Sequence, residues 1–387
     1  MNIKTIACFL FSITIWSNIF PVIEDEFAQK DKVESLYDFL KTSNNALTTE
    51  EGILIKNEIS TVVIMCPALV TGGPENLCQI SLELKKLGFN VYLLWFISES
   101  MIKRKYQNSS WYLCGNSDDL TPNIYKAEYE IEHLKNDVIL DKSTMIILPE
   151  GMCDFLPFFN GASKMIAWLS INNMHGFDRS NTCRDLIDKK SLRLLDCSHA
   201  AQAPWIQKIL SSWGAKSFLL GDYINKSYFN ASPVAAKENC IAYYPSKGRH
   251  LGELFTQNNP MYKYIRLQNL NSFGMLWALD TSKVYIDFGH FPGKDRIPRE
   301  ALLRGCIIFI HNQGCATDYE SFPVDDYFRF SDTDVIDGTL EAKIRNALDN
   351  YEDLYAKQEL ILNSVKQEYF SFSKQVSQIF GSPKRQF

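Results

Sequence analysis

The sequence predicts an α/β protein made of two Rossmann-like domains, each built on a parallel sheet, facing one another across a cleft. Three observations predict it. Short unbroken apolar runs alternate with amphipathic helical stretches from Ser60 onward, as expected of strands that helices bury on both faces. The alternation breaks once, around Pro233 to Glu238, and then resumes as a second set. The length of 387 residues exceeds what a single hydrophobic core organises.

Taken in order, Thr61 to Cys66 is a strand, and Thr71-Gly72-Gly73-Pro74-Glu75 is a glycine turn with proline at a helix start. The helix runs to Gly88 with Leu77, Ile80, Leu84 and Leu87 on one face. Phe89 to Phe96 is the next strand and completes a βαβ unit. Further strands are expected at Thr144 to Leu148, Lys164 to Ile171, Arg193 to Cys197 and Ser217 to Leu220, with a helical stretch at Gln202 to Trp213. The second set has strands at Cys240 to Tyr244, Tyr262 to Leu267, Val284 to Phe288 and Cys306 to Ile310, and helices at Phe273 to Leu279 and Pro298 to Arg304. The tail from Leu340 to Phe380 is amphipathic and too long for one unbroken helix. The expected organisation is residues 1–58 as an apolar segment and helical connector, 59–235 as an N-terminal domain, and 236–387 as a C-terminal domain with trailing helices.

Composition narrows the function. An apolar fraction of 46% and an aromatic fraction of 13% supply a core and exclude disorder as the main state. A formal net charge of -5 argues against a nucleic-acid partner. The ten cysteines form no CxxC pair and no zinc-spaced cluster, so they read as small core residues of a protein kept reduced. The apolar run from Thr5 to Ile23, flanked by Lys4 and by Glu24-Asp25-Glu26, fits a membrane-surface segment on a cytoplasmic protein. A signal peptide, or an N-terminal anchor that places the body on the lumenal side, is the alternative. Asn108-Ser109-Ser110, Asn225-Lys226-Ser227 and Asn230-Ala231-Ser232 are glycosylation triplets that would matter only in that second case.

Two stretches carry chemistry. Gly72 and Gly73 sit between a strand and a helix, where backbone amides attract anions and a ligand can approach closely. The spacing is not the dinucleotide fingerprint GxGxxG, which disfavours an oxidoreductase. The second stretch runs from Val284 to Glu300: a buried strand, then a loop with His290, Gly293, Lys294, Asp295 and Arg296, then a helix start at Pro298 with Glu300 one turn in. At the carboxyl end of a parallel strand such a loop offers amides and cations to a diphosphate, and a carboxylate to ribose hydroxyls.

Pro67 to Glu75, Ala167 to Asn173, Tyr244-Pro-Ser-Lys-Gly248 and Val284 to Gly305 resemble the bacterial and viral surface-glycan glycosyltransferases related to the retaining sucrose-synthase-like group, which have the GT-B fold. The resemblance covers residues 60–312. It implies that Gly72 and Gly73 lie beside the donor diphosphate, that Lys247, with Arg249 close by, binds phosphate, and that Glu300 binds the ribose. It also implies a nucleotide-sugar donor, a glycan or glycolipid acceptor, no cofactor and no dedicated metal site. One departure stands out. The group places a second glutamate eight positions before the first, and here that position is Pro292, which leaves its role to His290 or Asp295. The acceptor-activating base is expected among Glu150, Asp154, His175 and His199. A nucleotide-sugar epimerase of the same architecture and a non-catalytic nucleotide-binding assembly protein are the competing functions.

Overall fold

The computed structural model describes residues 58–175, 197–230 and 232–381, apart from the side chains of Asp154, Met174, His175 and Asn230. By compactness the chain separates into two units. The first takes residues up to Ala201, with Gln207–Leu219 and Gln375–Phe387; the second takes Gln202–Ile206 and Leu220–Lys374.

The first unit is built on β1 (Thr61–Pro67), α1 (Gly72–Lys86) and β2 (Asn90–Phe96). The short strands β3 (Arg104–Gln107) and β4 (Ser110–Leu113) follow, then α2 (Asn123–Glu128), β5 (Val138–Ile139), β6 (Thr144–Pro149), β7 (Ser163–Trp168) and β8 (Ser198–Ala201). After α3 (Pro204–Ser212) comes the last strand, β9 (Phe218–Leu219). Six of these strands form one parallel sheet in the order β2-β1-β6-β7-β8-β9. Val62 to Cys66 and Met145 to Leu148 are almost wholly shielded from solvent, which is why their runs read as continuously apolar.

A separate antiparallel sheet, β3-β4-β5, lies in the chain between β2 and β6, where no strand was expected from the sequence. Its hairpin turns at Asn108 and Ser109, both with positive φ. Arg104 fills one side, its guanidinium 4.4 Å from the Trp111 ring centre and 4.6 Å from that of Phe158. The strand expected at Lys164 to Ile171 stops at Trp168, because the Leu169 N–H donates to the Glu150 carboxylate at 2.9 Å instead of to a neighbouring strand. The strand expected at Arg193 to Cys197 lies, except for Cys197, outside the described residues; the described strand begins at Ser198.

The second unit holds α4 (Ser227–Asn230), β10 (Glu238–Tyr243), α5 (Arg249–Asn258), β11 (Lys263–Arg266), α6 (Ser272–Thr281), β12 (Ser282–Asp287), α7 (Ile297–Leu303), β13 (Ile307–His311) and β14 (Arg329–Phe330). Its sheet is parallel in the order β11-β10-β12-β13-β14. The tail breaks into α8 (Asp332–Ile336), α9 (Thr339–Asp349), α10 (Tyr351–Ala356) and α11 (Glu359–Phe380). Ile361 and Val365 of α11 join the second unit's core. Further along, its end belongs to the first unit, where Phe380 packs edge-on against Phe89.

Each sheet reverses its strand order once, between β1 and β6 in the first and between β10 and β12 in the second. Open α/β sheets bind ligands outside the carboxyl ends of the strands at such a reversal. Among the described residues, no helix is long and apolar enough to cross a membrane; the run from Thr5 to Ile23 lies outside them.

Candidate active site

The reversal in the second sheet brings Lys247 and the loop after β12 together. Tyr244 to Gly248 turn from β10 into α5, and Gly248, with φ 64°, stands at the helix N-cap. A Cβ on Gly248 would lie 2.0 Å from the Phe288 carbonyl oxygen, and one on Gly289 would lie 2.1 Å from Cγ of Lys247. Only glycine lets the two turns press together this closely.

The contact seats the Lys247 ammonium 2.9 Å from Asp287 Oδ2, 2.5 Å from Asp295 Oδ2 and 4.0 Å from the centre of the Phe291 ring. Asp287 ends β12 and is almost fully buried. It also accepts from the Tyr285 hydroxyl at 3.0 Å and the Gly289 N–H at 3.0 Å. Burial pushes the Asp295 carboxyl up to about 6, against the pull of Lys247. Burial works against the Lys247 charge, yet the two carboxylates overcome it and raise its pKa. His290, exposed at the rim, is lowered by partial burial and then by the charge of Lys247, so its imidazole is neutral at neutral pH.

The other residues expected on the donor side lie on this loop, on α5 and on α7. Gly293 is buried. The Lys294 N–H donates to Gln202 Oε1 at 3.1 Å, and its ammonium turns to Glu368 at 2.8 Å. Arg296 Nε lies 3.4 Å from Glu300 Oε1, one turn into α7. Arg249 is exposed on the first turn of α5. The structure therefore gathers Lys247, Arg249, His290, Gly293, Lys294, Asp295, Arg296 and Glu300 at one edge of one sheet.

In the first unit Gly72 and Gly73 open α1 after an extended Thr71 whose side chain makes no cap. Tyr125 donates to the Thr71 carbonyl at 2.9 Å and Tyr129 to Glu75 at 2.6 Å, fixing the turn. Glu150, just past β6, is buried. It accepts from the Leu169 N–H at 2.9 Å and from Asn173 Nδ2 at 3.1 Å. A Cβ on Gly73 would meet Leu169 at 3.4 Å, so the glycine turn and Glu150 share an edge. Burial raises the Glu150 carboxyl to about 7, against these hydrogen bonds.

His199 lies in β8, where its Nδ1 accepts from Trp168 Nε1 at 3.0 Å; the side chains of Asp154 and His175 lie outside the described ones. Sequence reasoning missed Asp287, Asp222, Arg299 and Glu368. Asp287 was legible as a carboxylate inside an otherwise apolar strand, since a buried carboxylate requires a partner. The other three meet through chain separations of 69 and 77 residues, which no local pattern reports.

Among the described residues, no group of three or more His, Cys, Asp or Glu side chains is placed to hold a metal ion. Asp332-Thr333-Asp334, an Asp-x-Asp triplet by sequence, caps a helix: Asp334 closes a capping box with Ser331, and Asp332 lies 2.7 Å from His311 Nε2. The eight cysteines among the described residues, Cys66, Cys78, Cys114, Cys153, Cys197, Cys240, Cys306 and Cys315, make no disulfide.

No family model and no curated protein sequence matches the chain. Solved structures do. TarM from S. aureus, in complex with fondaparinux, alpha-GlcNAc-glycerol and UDP, superposes with a TM-score of 0.55 at 10% identity, over 84% of this chain and 100% of that one. The pneumococcal O-GlcNAc transferase GtfA, with UDP and GlcNAc, gives 0.55 at 9% identity over 83% and 99%. Sucrose-phosphate synthase from Thermosynechococcus elongatus gives 0.52 at 11% over 82% and 98%. These neighbours are GT-B glycosyltransferases, and the fold of this chain is the GT-B fold.

Proposed function

We propose that the chain is a glycosyltransferase that moves a sugar from a nucleoside-diphosphate sugar to a glycan or glycolipid acceptor, in the making of a surface polysaccharide or glycoconjugate. The observation that carries this reading is the convergence of Lys247 and the 288–296 loop on the β10/β12 reversal. It is supported by a fold shared with proteins whose solved complexes hold UDP.

In this reading the leaving diphosphate gathers negative charge as the anomeric bond breaks. Lys247, Lys294, Arg296 and the backbone amides of the loop stabilise that charge. Glu300 takes the ribose hydroxyls, and Asp295 or His290 stands near the transferred sugar in place of the carboxylate replaced by Pro292. An arriving diphosphate competes with Asp295 for the Lys247 ammonium, and a carboxyl already raised by burial takes up a proton readily in response. The reaction is proposed to need no metal and to retain the anomeric configuration. The first unit is assigned the acceptor, with Gly72 and Gly73 on the diphosphate side and residues 5–23 as a membrane-surface contact.

The test is a panel of UDP-, ADP- and GDP-sugars incubated with the purified protein, with and without glycan acceptors. Free nucleoside diphosphate that appears only with an acceptor supports transfer, and the anomeric proton couplings of the product decide retention. Epimerised donor without an acceptor would replace transfer by epimerisation. Undiminished nucleotide binding and transfer in Lys247→Ala and Glu300→Ala would remove the enzymatic assignment of this site.

A further inference from the structure

Arg299 is fully buried in the first turn of α7, and its guanidinium donates four hydrogen bonds. Nη1 donates to Glu368 Oε2 at 2.7 Å and Nη2 to Asp222 Oδ2 at 2.8 Å. Nη2 also donates to the Lys294 carbonyl at 2.9 Å, and Nε to the Asp295 carbonyl at 3.0 Å. Two buried carboxylates thus hold the charge from one side, while two successive carbonyls of the 288–296 loop hang from the other. Glu368 reaches back to Lys294 as well, through its second oxygen at 2.8 Å. Burial opposes ionisation of Asp222, and the Arg299 charge overcomes it.

A bare structural ion pair would need only the carboxylates. The two carbonyl bonds are different, because they fix the backbone at the residues whose side chains face Lys247 and line the loop. We propose that Arg299 is a positioning residue, which grips the Lys294 and Asp295 carbonyls so that the loop keeps Asp295 on Lys247 and Lys294 at the sheet edge. Asp222 and Glu368 anchor it from the linker after β9 and from α11. Only the loop's ligand, a nucleoside diphosphate, rests on the glycosyltransferase reading. Lysine cannot substitute, since a point ammonium does not span a fork of four acceptors.

The experiment compares wild type with Arg299→Lys in the full-length chain by amide hydrogen exchange, by calorimetric titration with UDP, ADP and GDP, and by donor kinetics. Exchange across Gly289 to Arg296 is expected to quicken about tenfold while β13 stays unchanged. Donor KM is expected to rise about tenfold with kcat within about threefold. Glu368→Gln, which keeps shape and removes one anchor, is expected to show the same local pattern more weakly, and it serves if the lysine variant does not fold. Unchanged exchange in the loop, or faster exchange spread evenly over the unit, overturns the proposal. A wild type that binds none of the three nucleotides and transfers no sugar overturns the functional reading instead, and the exchange data still decide the role of Arg299.

Discussion

The two sheets reverse strand order in the same way, yet their reversals are built from opposite materials. In the second unit the space between β10 and β12 is crowded with ions: Lys247 against Asp287 and Asp295, with Arg299 between Asp222 and Glu368 behind the loop. In the first unit the corresponding space between β1 and β6 holds a glycine turn and one buried carboxyl, Glu150, whose bonds run to a backbone amide and an amide side chain. Burial lifts the Glu150 pKa to about 7. The contrast teaches that a shared topology fixes where a ligand goes, while the local charge decides what it can be. An edge whose cations can exchange a carboxylate partner for phosphate suits a diphosphate, and an edge of amides suits a sugar.

Lys247→Met attacks the charged side most directly. Buried Asp287 and partly buried Asp295 would then face each other without their counter-ion, a loss of about 3 kcal/mol at pH 8. The sign with pH is determined by Asp295, whose folded pKa lies above its usual value. A carboxyl raised in this way is more stable protonated, so the variant should recover stability as pH falls and lose least near pH 5. Urea unfolding at the two pH values measures it; an equal loss at both would mean that the pair contributes through packing alone.

Glycine substitutions test the same contrast sterically. Gly248→Ala places a methyl against the Phe288 carbonyl in a left-handed backbone conformation, and the expected cost is about 3 kcal/mol. Gly73→Ala meets only the Leu169 side chain at ordinary contact distance and should change stability by less than about 0.5 kcal/mol. Similar losses at the two glycines would erase the distinction between a loop-locking contact and an open turn.

The same distinction explains what was legible in the sequence. The strands β1, β2, β6, β12 and β13 and helix α7 declared themselves by period and by breakers, to within a residue or two. So did the glycine turn and the 288–296 loop, because both follow an unbroken apolar strand. The hairpin β3-β4 did not, since its four-residue strands are mostly exposed and carry no alternation worth reading. The frame behind the 288–296 loop was hidden for another reason. Arg299 reads as one more charge on a helix, and its partners Asp222 and Glu368 lie far away along the chain, brought to it by tertiary packing alone. Lys294 looked like a cation offered to a ligand, and in the structure it leans on Glu368.

Glu150→Gln acts on the neutral side. With a folded pKa of about 7 against an ordinary 4.5, the folded protein keeps a proton that the unfolded chain has released. This carboxyl therefore favours the folded state most below pH 4.5; its contribution falls between pH 4.5 and 7 and is level above. The glutamine variant cannot titrate, so its unfolding free energy should lack that decline. At pH 8 it sheds the net cost of ionising the buried carboxyl, roughly 3 kcal/mol for a shift that already includes the bond from Leu169 N–H. The expected result is a gain of about 3 kcal/mol, readable as a higher urea midpoint. At pH 4, where the wild-type carboxyl is protonated too, the two proteins should unfold together within error. If wild type and variant instead keep parallel stability curves from pH 4 to 8, Glu150 is ionised in the folded state, and the first unit's edge carries a negative charge that would repel a diphosphate and favour a hydroxyl-rich acceptor still more strongly.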